Sequence, residues 1–471
     1  MVSATLFSAT AAEPEVLEKL VVDKIWPGVL VRYCLLTHGD TQYVAYYNAD
    51  RRTVVAQRKL GESSFTKKVL PSESDKPPRH SKQTSTIQGW DTHNYLTLAV
   101  DNAGHIHLSG NMHGDPLLYF RSDTPGEITT LKQVKSMVGR AENRVTYPKF
   151  MKGPEGDLVF KYRHGGSGNG IWYYNIYDAK TKTWKRLFDK PLLGGKGRNA
   201  YGSAPRRGPD GRYHMFWMWR ETGNCNTNHD ISYARSKDFL HWETASGKKL
   251  ELPITFADKG TIVDPVPVKG GLLNMGNGMG FDSKDRVVIT YCKYDKDGNN
   301  QGYAARFENG KWMIRQITDW DHRWHFHGGG AIACKVKVLT PRIHGPGRLA
   351  VPYEHREYGN GLLILEEETL ERLGTEPKPQ RYPEALTTVS TDFPGMQVVN
   401  TILGGYFGSR LMKKIREEKG YTYGIYSMMI PLVNEGYLSI ASEVGTDVCR
   451  QALDDIYGEI RKLRNEKVDQ Q

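Results

Sequence analysis

Histidine, tyrosine and arginine recur in short polar segments flanked by glycine, and these side chains move protons and hold carboxylates near neutral pH. His93 and His113 stand in neighbouring segments, Trp90-Asp-Thr-His-Asn-Tyr95 and Ser109-Gly-Asn-Met-His-Gly114. Tyr147 lies in Thr146-Tyr-Pro-Lys-Phe150, where Pro148 biases it to an extended conformation. Arg163 closes an apolar run and precedes His164-Gly-Gly-Ser-Gly168, a loop type that admits close approach of a ligand. Tyr201 follows Arg198 and Asn199 in another polar, glycine-flanked stretch. Imidazole and phenol suit a general base and acid, and the planar guanidinium fork suits a carboxylate. Each residue also has a plainer role: a strand histidine, a core tyrosine and a surface arginine ordinarily serve structure.

A second set of residues could bind a metal. Cys225-x-x-x-His229, Cys292 and the cluster His322, His325 and His327 offer thiolate and imidazole ligands. Their spacing is weak evidence by itself, and buried cysteine beside surface histidine is the plainer reading. Aspartates and glutamates fall mostly in turns with no obvious pair, which ranks a sialidase-like glycoside hydrolase lower. A non-catalytic propeller that grips a polyanionic glycan is the remaining alternative.

The formal charge is +11, and it is uneven. From Phe393 to the end, ten Lys/Arg (Arg410 to Lys467) balance ten Asp/Glu (Glu417 to Asp469), so the positive excess belongs to the first part of the chain. A basic field attracts polyanions. No zinc-finger spacing, RNA-binding signature or long Lys/Arg run points to nucleic acid. No apolar run reaches the roughly 18 residues that cross a bilayer. Five scattered cysteines are no disulfide framework. Residues 1–14 end in small residues like a clipped export signal without its basic start, so secretion or periplasmic export is expected.

The elements that must position these residues are legible as a weak repeat. A turn rich in Asp, Gly and Asn precedes a strand at His38, Asp101, Gly153, Gly208, Asp282 and Gly345. The spacing of roughly 50 to 75 residues reads as propeller blades. Six visible copies plus degenerate ones predict an all-β, about seven-bladed β-propeller over 15–390. Ser236-Lys-Asp-Phe-Leu-His-Trp242 looks like the Ser-x-Asp-x-x-x-Trp turn of bacterial neuraminidase repeats. After about residue 391 a short α+β segment is expected. It should hold a helix over Ser409–Lys419, a strand over Tyr421–Pro431, and a helix over Thr446–Asn465 capped by Thr446 or Asp447.

On the segments around His93, His113, Tyr147, Arg163 and Tyr201, residues ~15–390 resemble the BNR-repeat propellers of the ulvan lyases, polysaccharide lyase families twenty-four and, more closely, twenty-five. The resemblance implies an exported enzyme that cleaves an acidic, sulfated algal polysaccharide beside uronic acid by β-elimination. Arg163, alone or together with His113, would neutralise the uronate. His93 and Tyr147 would share the base and acid roles, with the split undecided, and Tyr201 would position substrate or assist the acid. Asn94, His164 and Arg198 would contact substrate. No cofactor is implied for catalysis, but a structural zinc away from the active site is, with Cys225, His229, Cys292 and His327 as its candidate ligands. The last 79 residues are similar to a different family, the insulinase-type zinc peptidases. The carrying stretches are Leu403-Gly-Gly-Tyr-Phe-Gly-Ser-Arg-Leu-Met412 and Ile415-Arg-Glu-Glu-Lys-Gly-Tyr-Thr-Tyr-Gly424. The His-x-x-Glu-His metal motif is absent, so no peptidase activity is expected, and the reading is a gene fusion or an assembly artefact joined near 385–393.

Overall fold

A computed structural model describes residues 15–26, 31, 33–72, 84–87, 91–329, 332–379, 393–431 and 436–466. Trp90, the leader-like 1–14 and most of the expected fusion joint fall outside the described residues. The chain divides into two compact units, one of them Val21–Pro379 and the other holding the C-terminal part from Gln380.

Within Val21–Pro379 the described residues form six antiparallel sheets in chain order. Each of the six repeat copies seen in the sequence supplies one strand: Thr41–Tyr47, Ile106–Gly110, Leu158–His164, Tyr213–Arg220, Val287–Tyr294 and Arg348–His355. The turn before four of them repeats one pattern. In the second sheet Asp101 N–H donates to His105 O and Gly104 N–H to Asp101 O, and the same pair of bonds recurs at Gly153, Gly208 and Asp282. The fourth turn residue is left-handed each time, Gly104, Gly156 and Gly211 in three copies and Asp285 (φ 61°) in the last. Sequence spacing predicts about seven blades; the degenerate extra copy forms no sheet among the described residues. The Ser236 turn forms as expected: the Asp238 carboxylate accepts from Leu240 N–H at 2.9 Å and His241 N–H at 2.8 Å, while Trp242 is buried.

Inner strands such as Tyr213–Arg220 and Val287–Tyr294 are buried on both faces, which explains why they read as apolar runs rather than strict alternation, whereas outer strands such as Thr66–Val69 and Arg372–Glu376 are largely exposed. In Tyr213–Arg220, Tyr213, Met215, Trp217 and Trp219 pack with Val159, Trp172 and Tyr174 of the third sheet. The intervening Phe216 and Met218 pack with Met279, Ile289 and Tyr291 of the fifth. Other clusters join the first three sheets and the fifth to the sixth, so consecutive sheets stack face to face.

Six strands position the site. They are β1 (His113–Asp115), β2 (Val145–Lys152), β3 (Leu158–His164), β4 (Ile171–Asp178), β5 (Asn199–Gly202) and β6 (Tyr213–Arg220). β1, β2, β3 and β4 are neighbours in the third sheet, and β5 pairs with β6 in the fourth.

In the C-terminal unit, α1 (Phe393–Asn400) was not expected from the sequence, and the expected helix is wound as a π-helix over Met412–Glu418. The strand begins at Ile425 and pairs with Gly436–Ser442. The last helix, α2 (Cys449–Asn465), starts later than expected. Val448 stands at its N-cap position and no side chain caps it, so neither Thr446 nor Asp447 has that role. Leu403, Leu411, Met412, Ile415 and Ile425 form this unit's own small core. No helix among the described residues is long and apolar enough to cross a membrane.

Candidate active site

The site is built at strand ends. β3 alternates two sets of side chains: Leu158, Phe160 and Tyr162 face one core, while Val159, Lys161 and Arg163 face the other way. Two cations therefore enter an otherwise apolar stack. Gly170 makes room for Arg163, because a Cβ there would lie 2.5 Å from the arginine Cδ. The glycine-rich loop thus admits a protein side chain, rather than only a ligand.

Tyr147 corrects the sequence reading. Its φ is +58°, on the left-handed side, although Pro148 follows. The β2–β3 register shifts between Thr146 and Lys149, and this bulge absorbs the distortion. Such a conformation costs about 1–3 kcal/mol and persists only where the surroundings hold it. Here the phenol ring is stacked on Trp172 at 5.8 Å, with the Arg163 guanidinium 4.9 Å from its centre.

Around Tyr147 a chain of polar contacts closes. Tyr147 Oη lies 3.0 Å from His93 Nε2. His93 Nδ1 lies 2.6 Å from one Asp91 oxygen, and His113 Nδ1 makes a short bond with the other. The two imidazoles stack with centres 3.9 Å apart. Burial pushes the Asp91 carboxyl up, but the bonds from His113 and His93 outweigh it and hold it well below the usual carboxylate range. An ionised Asp91 keeps a proton on His93 Nδ1 and leaves Nε2 free to accept from the phenol. Burial raises the Tyr147 phenol to about 12 against the lowering charges of Arg163 and Arg220, so it stays neutral at neutral pH.

Arg163 is 2% exposed, yet its partners are neutral: it donates to Tyr201 Oη at 3.1 Å and Thr146 Oγ1 at 3.2 Å. Its Nε is buried without a partner. Arg220, at the end of β6, repeats the theme with Asn228, Ser167 and Asn274, and lies 4.1 Å over the Tyr201 ring. Buried cations are ordinarily paired with acids. These two line a cavity of about 430 Å³ together with His93, His113, Tyr147 and Tyr201. A second cavity of about 470 Å³ shares Tyr201, Gly202, Ala204, Asn274 and Met275 with it, extending the groove toward the fifth sheet.

The five expected catalytic residues therefore come together. Asn94, His164 and Arg198 do not line the cavity. The Asn94 carbonyl accepts from Tyr47, His164 bonds Asn143, and Arg198 pairs with Glu221 at 2.6 Å. Sequence reasoning missed Asp91, Lys161 and Arg220. Asp91 sits inside the quoted His93 segment, and Arg220 ends an apolar strand as Arg163 does, so both had a local signal.

The cysteine and histidine set does not fit a zinc site. Cys225 and Cys292 lie in one apolar cluster with Trp324 and Phe326, which leaves the alternate residues His325 and His327 exposed. His229 Nδ1 bonds Asp230 at 2.7 Å, and its Nε2 lies 2.9 Å from Glu221. Among the described residues, the only group of three His, Cys, Asp or Glu with ligand atoms within 4.8 Å of one another is Asp91, His93 and His113. Its short contacts suit a carboxylate accepting two imidazole N–H groups.

Stacked antiparallel blades, with a groove lined by arginines and a touching imidazole and phenol, define a propeller-type protein. The BNR repeat-containing family matches residues 41–320, and the chain belongs to it. Residues 380–471 match a second family, the peptidase M16 inactive domain. The chain is 28% identical over 134 residues to the short isoform of ulvan lyase from Alteromonas sp. (strain LOR), a stretch covering 26% of this chain and 25% of that protein. It is also 28% identical to the long isoform from Pseudoalteromonas sp. (strain PLSV), covering 26% of this chain and 13% of the relative. The chain thus spans a quarter or less of the length of these relatives. A solved PL25 ulvan lyase aligns at 14% identity and a TM-score of 0.49, over 76% of this chain and 86% of that one.

Proposed function

We propose that Val21–Pro379 is a polysaccharide lyase that cleaves an acidic, sulfated, ulvan-like polysaccharide beside a uronic acid by β-elimination. One observation carries the reading: Arg163 and Arg220 are buried with only neutral partners, facing the His93–Tyr147 pair. The match to ulvan lyases supports the substrate class.

The uronate carboxylate completes the charge of the two guanidiniums, and its neutralisation makes the C5 proton acidic. His93 Nε2 takes that proton. The C5–H electron pair becomes the C4–C5 double bond, the C4–O4 bond breaks, and the neutral Tyr147 phenol gives its proton to O4. The imidazolium returns a proton to the phenolate across the 3.0 Å contact, restoring both groups. Base and acid touch, so both act from one face of the sugar. His113 buttresses His93 by stacking, and Tyr201 holds Arg163 in place. No step uses a metal. A polymer of this kind is met outside the cell, so export is part of the reading.

The test is a panel of uronate polysaccharides (ulvan, glycosaminoglycans, alginate) given to the full chain. The expected result is ultraviolet-absorbing unsaturated product from ulvan. Tight binding of ulvan without product from any member would make the protein a binding module instead.

A further inference from the structure

The cavity holds more positive charge than a uronate needs. Lys161 and Lys149 sit directly opposite each other in the β3–β2 ladder, and both line the cavity. Like charges facing each other across strands are destabilising. Lys161 is only 6% exposed, and its contacts are the faces of Trp172 at 4.1 Å and Tyr174 at 6.0 Å, with no acid or hydrogen-bond acceptor among the described residues. Burial, then the charge of Lys149, lowers the ammonium to about 7. An uncompensated buried cation opposite another cation is costly unless an anion arrives.

Two cation chemistries are therefore separated in one groove. The planar forks of Arg163 and Arg220 match a planar carboxylate. The ammonium groups are compact charges with donors in three directions, which suits a tetrahedral oxyanion. We propose that Lys161, with Lys149, binds the sulfate ester of the polysaccharide and sets the preference for sulfated over unsulfated chains. The inference rests on the lyase reading for the polymer it names, while the charge pair itself is independent of turnover. Lys161 is a substrate-binding residue in this assignment and takes no part in proton transfer.

The test measures affinity by calorimetry, using the full chain with His93→Ala to stop turnover, for a sulfated ulvan oligosaccharide and its chemically desulfated form. With Lys161 present, the sulfated form should bind at least about tenfold tighter, the scale of one charge-assisted contact. Lys161→Met should close that gap to about twofold without weakening the desulfated form, and Lys149→Ala should close part of it. A gap that survives Lys161→Met, an equal loss on both forms, or no discrimination at the start overturns the proposal. Thermal melting of each variant separates a folding defect from lost recognition, and the exposed Lys149 provides a variant outside the packed core. If the active chain makes no unsaturated product while the gap behaves as expected, the lyase reading falls and the sulfate assignment stands.

Discussion

Arg306 and Arg163 are equally buried, and they have opposite surroundings. Arg306 lies 3.2 Å from Asp282 and 2.5 Å from Glu308, and its remaining N–H groups donate to the carbonyls of Glu367 and Glu368. It clamps the fifth sheet to a turn of the sixth. Arg163 finds a phenol, a threonine and an empty direction at Nε. A buried arginine whose acids are already present belongs to the fold. One whose acid is missing is a candidate for binding an anion. The third and fifth blades thus give the same side chain opposite surroundings, and only the partner list tells them apart.

Removing each arginine is the strongest way to break this comparison. Arg306→Met leaves Asp282 with Arg286 at 2.7 Å but strips the Glu367 and Glu368 carbonyls of their buried donor, and should lower the unfolding free energy by about 2–3 kcal/mol in chemical denaturation. Arg163→Met should leave stability within about 1 kcal/mol, because no buried acid is abandoned. Its kcat/KM for unsaturated product should fall about a hundred- to thousandfold. If Arg163→Met unfolds the protein as Arg306→Met does, both are structural and the contrast fails.

Asp91 gives the next step down. Among the described residues it is the carboxylate bonded to both His93 and His113, and in the proposed mechanism it acts through them. As a positioning residue it should affect turnover more than binding. Asp91→Asn should lower kcat about a hundredfold while KM changes less than about threefold, since it removes the orientation on which acid–base transfer depends. A matching rise in KM would show that Asp91 shapes the groove rather than the imidazole.

How much of this was legible beforehand depends on the range of the interaction. The six turn-and-strand copies were readable because each turn is a local hydrogen-bonding pattern, and all six became the matching strand of a sheet. His93, His113, Tyr147, Arg163 and Tyr201 were singled out through the family resemblance of their short segments, since chemical type alone favoured structural roles, and the structure brings all five to one cavity. The Tyr147 backbone was not: the bias from Pro148 is local, and a bulge held by Trp172 and Arg163 overrode it. Lys161 was invisible because nothing local shows that Lys149 faces it or that no acid comes near. The cysteine and histidine ligand set failed for the same reason in reverse, since convergence was assumed where Trp324 and Phe326 claim the interior and turn His325 and His327 outward. The α2 cap was missed because Thr446 and Asp447 lie before the first helical turn, which Val448 begins.

Arg198 sharpens the comparison from its weak end. It is a cation beside the site, but it has its acid: Glu221 lies 2.6 Å away, both side chains are about one-third exposed, and the guanidinium rests 4.9 Å over Phe256. Partly exposed ion pairs contribute about 0–1 kcal/mol, so Arg198→Ala should barely move the unfolding midpoint. Because Arg198 does not line the cavity, kcat/KM on a short oligosaccharide should stay within about threefold, under 1 kcal/mol. The informative measurement repeats this on long polymer. A loss confined to long chains would mean that a distant sugar displaces Glu221 and recruits Arg198, extending the groove beyond the cavity. No loss on either substrate would leave the unpaired cations, and not cations in general, as the mark of the binding surface.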